Sequence, residues 1–310
     1  MSDVLRDLLR VDPALPEQAD FDAWWPRWLA VCGARSAPID RAIAAGFATD
    51  RVAWAFAAGY QAALRRLDPT LSDGEVAALC VTEKTGRPRD ILTALTPQQA
   101  SKAPKDSEHG WRLRGDKRFV SLADRATVLL VAARAGEVHG RPDLRLVRVL
   151  ASDPGVTITV HPPLPFTPEA NHGSVALDVV LDADRIYAGD GYAAYVKPFR
   201  TIEDLHVTAA ITAHLLRLGR AQAWPGALLA RVVAQLELAR SLAARPPADP
   251  MLHITLDGYL SQLRALVRDV DDHWPEDDVN GTRWRRDTPL LTIADGVRRQ
   301  RSLRAWEAFP

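Results

Sequence analysis

The chain has 310 residues, of which 47% are hydrophobic and 25% charged, enough for more than one hydrophobic core. Lys and Arg number 39, and Asp and Glu also number 39. The chain therefore lacks the basic footprint that a phosphate backbone demands, and nucleic acid is excluded as an expected partner. The two cysteines, Cys32 and Cys80, form no CxxC pair, so neither a zinc knuckle nor a disulfide scaffold is expected, and no metal site. No apolar run approaches the ~20 residues of a membrane helix. The N-terminal MSDVLRDLLRVDP mixes acids into its apolar positions, so a cytoplasmic protein without membrane attachment is expected. The cations are nearly all Arg, with lysine only at 84, 102, 105, 117 and 197; with abundant Ala, this points to a GC-rich bacterial genome.

Residues 17–66 read as helical. Trp24, Trp25, Trp28, Leu29, Val31 and Cys32, then Ile39, Ile43, Phe47, Val52, Phe56, Tyr60 and Leu64 recur at spacings of three and four, as in amphipathic helices. Pro38 and Asp40 mark a junction, and Asp68-Pro69 closes the segment. Trp24, Trp25 and Trp28 are read as core or helix-docking aromatics, since large rings usually serve burial. From about residue 76 the texture changes to short strands, at 77–82, 119–121, 127–133, 144–149, 156–160 and 174–181, with a turn at 85–88. Strands so short and so closely spaced point to a compact barrel or sandwich rather than a βαβ sheet. The segment HPPLPFTPEANH at 161–172 carries four prolines and reads as a loop crossing between strands.

Helical texture returns at Pro198. Thr201-Ile-Glu-Asp reads as a capping-box-like start, with Glu203 in the first turn. Further helices are expected at about 225–244 and 255–270, an acidic loop at 271–278, and a last helix near 287–306. The expected fold is α+β: an N-terminal helical domain (1–75), a middle β-barrel domain (76–196) and a C-terminal helical bundle (197–310).

The chain contains no GxGxxG and no GxxxxGK[ST], so no Rossmann or P-loop phosphate cradle is expected. GxSxG and HExxH are also missing, which removes the simplest hydrolase and metalloprotease readings. His206 and His214 stand eight apart on one expected helix, two turns rather than one, and read as surface or satisfied core residues. Glu203 is the most unusual acid, opening an apolar helix, although the helix dipole alone would account for an acid in a first turn.

The middle of the chain resembles the acyl-CoA dehydrogenase superfamily. LCVTE (79–83) resembles the family's YCVTEP strand end, and GWRLRGDKRFVS (110–121) resembles GYxIxGxKxWIT. Ala123-Asp124 followed by TVLLVAAR (127–134) resembles ADxxxVxAR, and DPGV (153–156) resembles DxPGV. Residues 179–191 resemble the VxFDDVxVP exit strand and the segment after it. The resemblance spans about residues 77–220, in the family's order.

The resemblance implies a helical domain, a β-barrel domain and a helical bundle, with FAD as cofactor. By motif, Val81 and Thr82 would contact the flavin ring on one side and Phe119, Val120 and Ser121 on the other, with Phe119 in place of the usual Trp. The implied reaction is α,β-dehydrogenation of an acyl-CoA thioester: a carboxylate removes the α-proton and a hydride passes to flavin. Glu203 is the implied base. The alternative is Asp295, which follows Arg286-Asp287 by eight residues in an Asp-Gly-Val where relatives carry Glu-Gly-Thr. Electron-transfer flavoprotein is an implied electron acceptor, and a homo-oligomer or a pairing with a full-length relative the implied assembly. The family's PxxGSD after Glu83 is replaced by KTGRPRD (84–90), and its RxxFG and GGxG segments are absent. Two alternative readings follow: a catalytically silent paralogue acting as a binding or complex subunit, and a flavin-dependent monooxygenase-like member.

Overall fold

The computed structural model describes residues 3–15, 17–85, 87–98 and 110–309; Gly86, in the turn read at 85–88, lies outside them. The chain forms two compact units, one of residues 1–73, 164–170 and 201–310, the other of residues 74–163 and 171–200.

Helices α1 (Val4–Arg10), α2 (Phe21–Cys32), α3 (Pro38–Phe47) and α4 (Val52–Leu67) come first; α5 (Lys197–Ala221), α6 (Gly226–Ala243), α7 (Pro250–Val270), α8 (Val279–Asp287) and α9 (Asp295–Trp306) follow the sheet. Four of them start where an acid precedes the apolar run. Asp3, Asp20, Asp249 and Asp278 each accept a hydrogen bond from a first-turn backbone N–H, satisfying donors that a helix otherwise leaves open. The core of the helical unit joins Leu205, Ile211, Leu215 and Leu216 of α5 to Val232, Leu236, Leu256 and Leu260. Helix α4 is buried from Val52 through Arg65, as its apolar residues on every side require. Trp24 and Trp28 are buried as expected. Trp24 stacks on Trp54 at 5.4 Å and Trp25 on Trp28 at 4.7 Å between ring centroids.

Two glycines let α3 and α4 approach α5. A Cβ on Gly46 would lie 2.2 Å from the carbonyl oxygen of Ala210, and one on Gly59 would lie 2.5 Å from Cα of Val207. Backbone cannot yield as a side-chain tip can, so overpacking applies in full. Gly46→Ala and Gly59→Ala are each expected to destabilise the helical unit by about 1–3 kcal/mol or more, read as a lower denaturant midpoint by far-UV circular dichroism.

The expected helix start at Thr201 is overturned. A π-helical turn over Gly191–Val196 runs directly into α5 at Lys197, and the Asp190 carboxylate accepts from the N–H groups of Tyr192 and Ala193. The chain is thus already wound before Pro198, and the wider π turn accommodates the proline that would break a regular helix from inside. The last helix expected near 287–306 begins only at Asp295, as α9; the start of that span is a 3₁₀ segment (Thr288–Leu291) that holds Pro289 in its first turn, and α8 before it was not anticipated.

The second unit is a curled seven-stranded sheet. Its strands are β1 (Ala77–Cys80), β2 (Ala94–Pro97), β3 (Trp111–Ser121), β4 (Val128–Val138), β5 (Arg141–Leu150), β6 (Val156–Val160) and β7 (His172–Leu181). The order is β1-β4-β2-β3-β7-β6, with β5 also paired to β4. β1 runs parallel to β4, with Leu79 opposite Leu130, and β3 runs antiparallel to β7, with Leu113 opposite Val179. Alternate residues of β5 and β7, Val147 and Val149, then Val175, Leu177 and Val179, fill one core, as the two-residue period of a strand dictates. The segment expected at 119–121 is the tail of β3. β2 was not anticipated: four residues ending in Pro97 carry no readable period, and pairing with β3, and with β4 at Ala94, defines the strand. The mixed α+β class expected from the sequence is the one observed. Among the described residues, no helix is long and apolar enough to cross a membrane.

Candidate functional site

The sequence-predicted flavin residues fall at two places in the sheet unit, just past β1 and at the end of β3. One backbone hydrogen bond joins these places: the N–H of Arg118 donates to the Thr82 carbonyl at 2.7 Å. β3 bulges against β7 between Lys117 and Val120, and Phe119 sits there with φ 55° and 65% of its surface exposed. A bulky residue with positive φ is costly, by roughly 1–3 kcal/mol, and an exposed ring gains nothing from burial to offset it. Folding alone does not account for Phe119. Val120 is buried in the sheet core with Leu113 and Val175, so only its backbone is available to a ligand. Thr82 and Ser121 are partly exposed. Val81 packs at the margin of a small cluster of Ile91, Ala132, Leu144 and Val196.

Beneath this edge lies a pair that the motif contained but that sequence reasoning did not single out. Lys117 is 0% exposed, and its Nζ donates to Glu83 Oε1 at 2.7 Å. The same carboxylate accepts from the N–H of Leu92 at 2.8 Å, the N–H of Thr93 at 3.0 Å and the Thr93 hydroxyl at 2.8 Å. Burial works to raise the Glu83 pKa, but the Lys117 ammonium and the backbone N–H donors outweigh it and hold the carboxyl below its usual range. Burial pulls Lys117 below its ordinary value, against the pull of Glu83. Cys80, sealed nearby, is pushed up to about 12 by burial and is an inert thiol. Glu83, just past β1, thus ties the segment entering β2 to Lys117 of β3.

In the helical unit, Glu203 lies past the first turn of α5, not within it. The dipole effect fades within one turn and does not account for this residue. Glu203 lines a cavity of about 170 Å³ whose walls are mostly apolar, including Phe56, Val207, Ile211, Leu290, Leu291 and Ile293. Asp204 is buried and accepts from Arg298 at 2.9 and 3.0 Å and from Arg301, so two guanidiniums compensate it. Asp295, the alternative base, is instead the first residue of α9 and pairs with Arg264 at 3.2 Å and Arg298 at 3.3 Å. The lining contributed by Leu290, Leu291 and Ile293 was not readable, because the sequence placed those residues in a last helix near 287–306, whereas they lie in the 3₁₀ segment and the turn before α9.

The Arg286-Asp287 pair that resembled a family motif has a structural role. Asp287 is 0% exposed and accepts from the Thr167 N–H at 2.7 Å, while Arg286 reaches Glu169 at 3.2 Å. Arg51 also reaches Glu169, at 3.3 Å, so the proline-rich loop is anchored from two helices. His206 and His214 are buried, and their ring Nδ1 atoms meet the carbonyls of Ile202 and Thr49 at 2.7 and 3.0 Å. Among the described residues, no group of three or more His, Cys, Asp or Glu side chains is placed to hold a metal ion.

No protein-family model matches the chain. No curated protein matches it in sequence. Solved structures do match it along most of its length. Butyryl-CoA dehydrogenase from Megasphaera elsdenii is 12% identical over 98% of each chain, with TM-score 0.67. An FAD complex of PigA is 12% identical over 91% of this chain and 88% of that one, with TM-score 0.63. The prolyl acyl carrier protein oxidase AnaB is 12% identical over 91% and 89%, with TM-score 0.65. At such identities the likeness speaks for architecture, and from helices through curled sheet to helices, this chain has the fold of the acyl-CoA dehydrogenases.

Proposed function

We propose that the protein is an FAD-dependent oxidoreductase that dehydrogenates an acyl-CoA thioester between Cα and Cβ. The observation that supports this most is Glu203, a carboxylate that lies past the first turn of its helix and lines a mostly apolar cavity. When bound, FAD supplies the acceptor for the hydride leaving Cβ.

This chain's residues would divide the remaining work. Phe119 offers an exposed aromatic face for a planar ring, and the Thr82 and Ser121 side chains offer hydroxyls beside it; a planar ligand is held by such an aromatic wall with a few polar groups. Among the described residues, neither hydroxyl is committed to another protein group, so both are available for this task. Glu203 would take the α-proton, with the apolar walls around it facing the reacting carbon. Asp204 stays bound to Arg298 and Arg301, leaving Glu203 as the proton acceptor of this cavity.

The test is to incubate the protein with FAD, remove free flavin, and record the visible spectrum before and after anaerobic addition of an acyl-CoA. A retained, protein-perturbed flavin spectrum that bleaches without added reductant is expected. A colourless protein, or a bound flavin unmoved by short- and long-chain acyl-CoAs alike, would refute the reading. Phe119→Gly separates binding from folding. Loss of the stacked ring should weaken FAD by about threefold to tenfold. The denaturant midpoint should not fall, because glycine relieves the positive φ at an exposed position.

A further inference from the structure

Apart from the Glu203 cavity, the helical unit has a second cleft of about 530 Å³, bounded by the start of α3, the end of α4, α5 and the end of α6. It is lined by Pro38, Asp40, Arg66, His206, Glu237 and Arg240. A hollow of about 10 Å³ shares Arg66 and His206 with it and adds Thr201 and Arg245; a hole of that size has room for about one hydroxyl or water.

His206 is 2% exposed. Its Nδ1 lies 2.7 Å from the Ile202 carbonyl oxygen, which can only accept, so Nδ1 carries the hydrogen and Nε2 is left with a bare lone pair. That Nε2 is buried and has no hydrogen-bond partner, whereas buried acceptors are normally paired. Burial, helped by the positive charge of Arg66, pushes His206 down to about 4, so it does not become a donor near neutral pH. The acids of the cleft share one guanidinium: Asp40 and Glu237 both accept from Arg240, at 2.9 Å each, and Asp3 reaches it at 3.3 Å. Arg66 is exposed at the cleft edge and has no ion-pair partner among the described residues. Helix α3 opens at Ala37, with no side chain to receive its first N–H groups, and such an uncapped terminus attracts anions.

We propose that this cleft is a ligand site separate from the Glu203 cavity, built for a small oxyanion that retains an O–H, of the phosphate or phosphomonoester kind. The anionic oxygens meet Arg66 and the start of α3, and the O–H donates to Nε2 of His206. The requirement for a donor is what makes the site selective. An acceptor-only anion would face the bare lone pair, and sites built for a ligand hydrogen bond reject analogues lacking it.

Calorimetric titration of the full chain near pH 6 with inorganic phosphate, glycerol phosphate and sulfate tests this. Phosphates keep an acidic proton at about that pH, and sulfate does not. Phosphate is expected to bind at least about tenfold more tightly than sulfate. Tighter binding of glycerol phosphate would assign the site to the phosphate end of a larger molecule, and the reverse order to free phosphate. Arg66→Gln, at an exposed position, should weaken both by about tenfold or more with an unchanged unfolding midpoint. His206→Leu should erase the preference over sulfate. If that variant does not fold, the ¹⁵N resonance of His206 Nε2 in the unaltered chain gives the same reading by shifting on phosphate addition. Absence of saturable binding, equal affinity for sulfate, or an Nε2 resonance that stays fixed because a single water holds it would overturn the proposal.

Discussion

Glu203→Gln will retain FAD yet slow the acyl-CoA-driven bleaching of the flavin by about 10²–10⁴-fold, the usual contribution of a positioned general base. Glutamine keeps the shape of the side chain and its place in the 170 Å³ cavity, so the loss isolates proton abstraction from binding. Asp295→Asn is the matched control. Its carboxylate is engaged with Arg264 and Arg298, and bleaching in that variant should stay within a few-fold of the parent. Undiminished bleaching in Glu203→Gln, or a collapse in Asp295→Asn with stability intact, would transfer the role of base away from Glu203. Stopped-flow absorption under anaerobic conditions reads both variants directly.

The largest stability effect is expected at the Glu83–Lys117 pair. Glu83→Ala leaves an ammonium with 0% side-chain exposure without its counter-charge, and also strands the N–H groups of Leu92 and Thr93. Removing one partner of a buried pair costs about 3–5 kcal/mol. The double variant Glu83→Ala with Lys117→Met removes the stranded charge and should recover most of that loss, since an apolar replacement of a buried pair is often close to neutral. Urea unfolding followed by a sheet signal measures both; a single variant as stable as the parent would refute the account.

The same pair sets an acid dependence. The folded pKa of Glu83 lies below its ordinary 4.5, so between those values the unfolded chain binds more protons than the folded one. Stability from Glu83 is therefore complete above about 4.5 and is lost as pH falls through the lowered folded value. In Glu83→Ala this part of the acid dependence should be missing, giving a flatter midpoint-against-pH curve below about 4.5. Because Thr82 adjoins Glu83 and Phe119 lies just past Lys117 in the chain, the single variant should also lose flavin affinity. A variant that keeps both stability and flavin binding would show that the pair positions nothing.

Local pattern carried much of the architecture. The spacing of four through Val52, Phe56, Tyr60 and Leu64 is enough to call α4, and the alternation in β5 and β7 is enough to call strands, because helix and strand periods are properties of the chain itself. The alternation of helical, strand and helical texture predicted the α+β class, and the short motifs at 79–83 and 110–121 predicted the family whose fold is seen. What local pattern misplaced was the start of α5. Thr201-Ile-Glu-Asp has the composition of a helix start, but the cap is supplied by Asp190, and a π turn carries the chain past Pro198. Helix boundaries depend on which distant or neighbouring group satisfies the open N–H donors, and composition does not record that choice.

The sites show the same division. Sequence sufficed to nominate Glu203, Thr82 and Phe119, because motif and residue type are linear information. Only the folded chain showed that Asp204 is compensated by Arg298 and Arg301, that Glu83 is paired with Lys117, and that Phe119 is held exposed with a positive φ. It alone placed Leu290, Leu291 and Ile293 beside Glu203, and left Nε2 of His206 unpaired in a second cleft. Most of these facts are meetings of residues tens of positions apart in the chain. Such meetings are set by packing and charge compensation in three dimensions, whereas the elements that bring them about are written in periods of two and four.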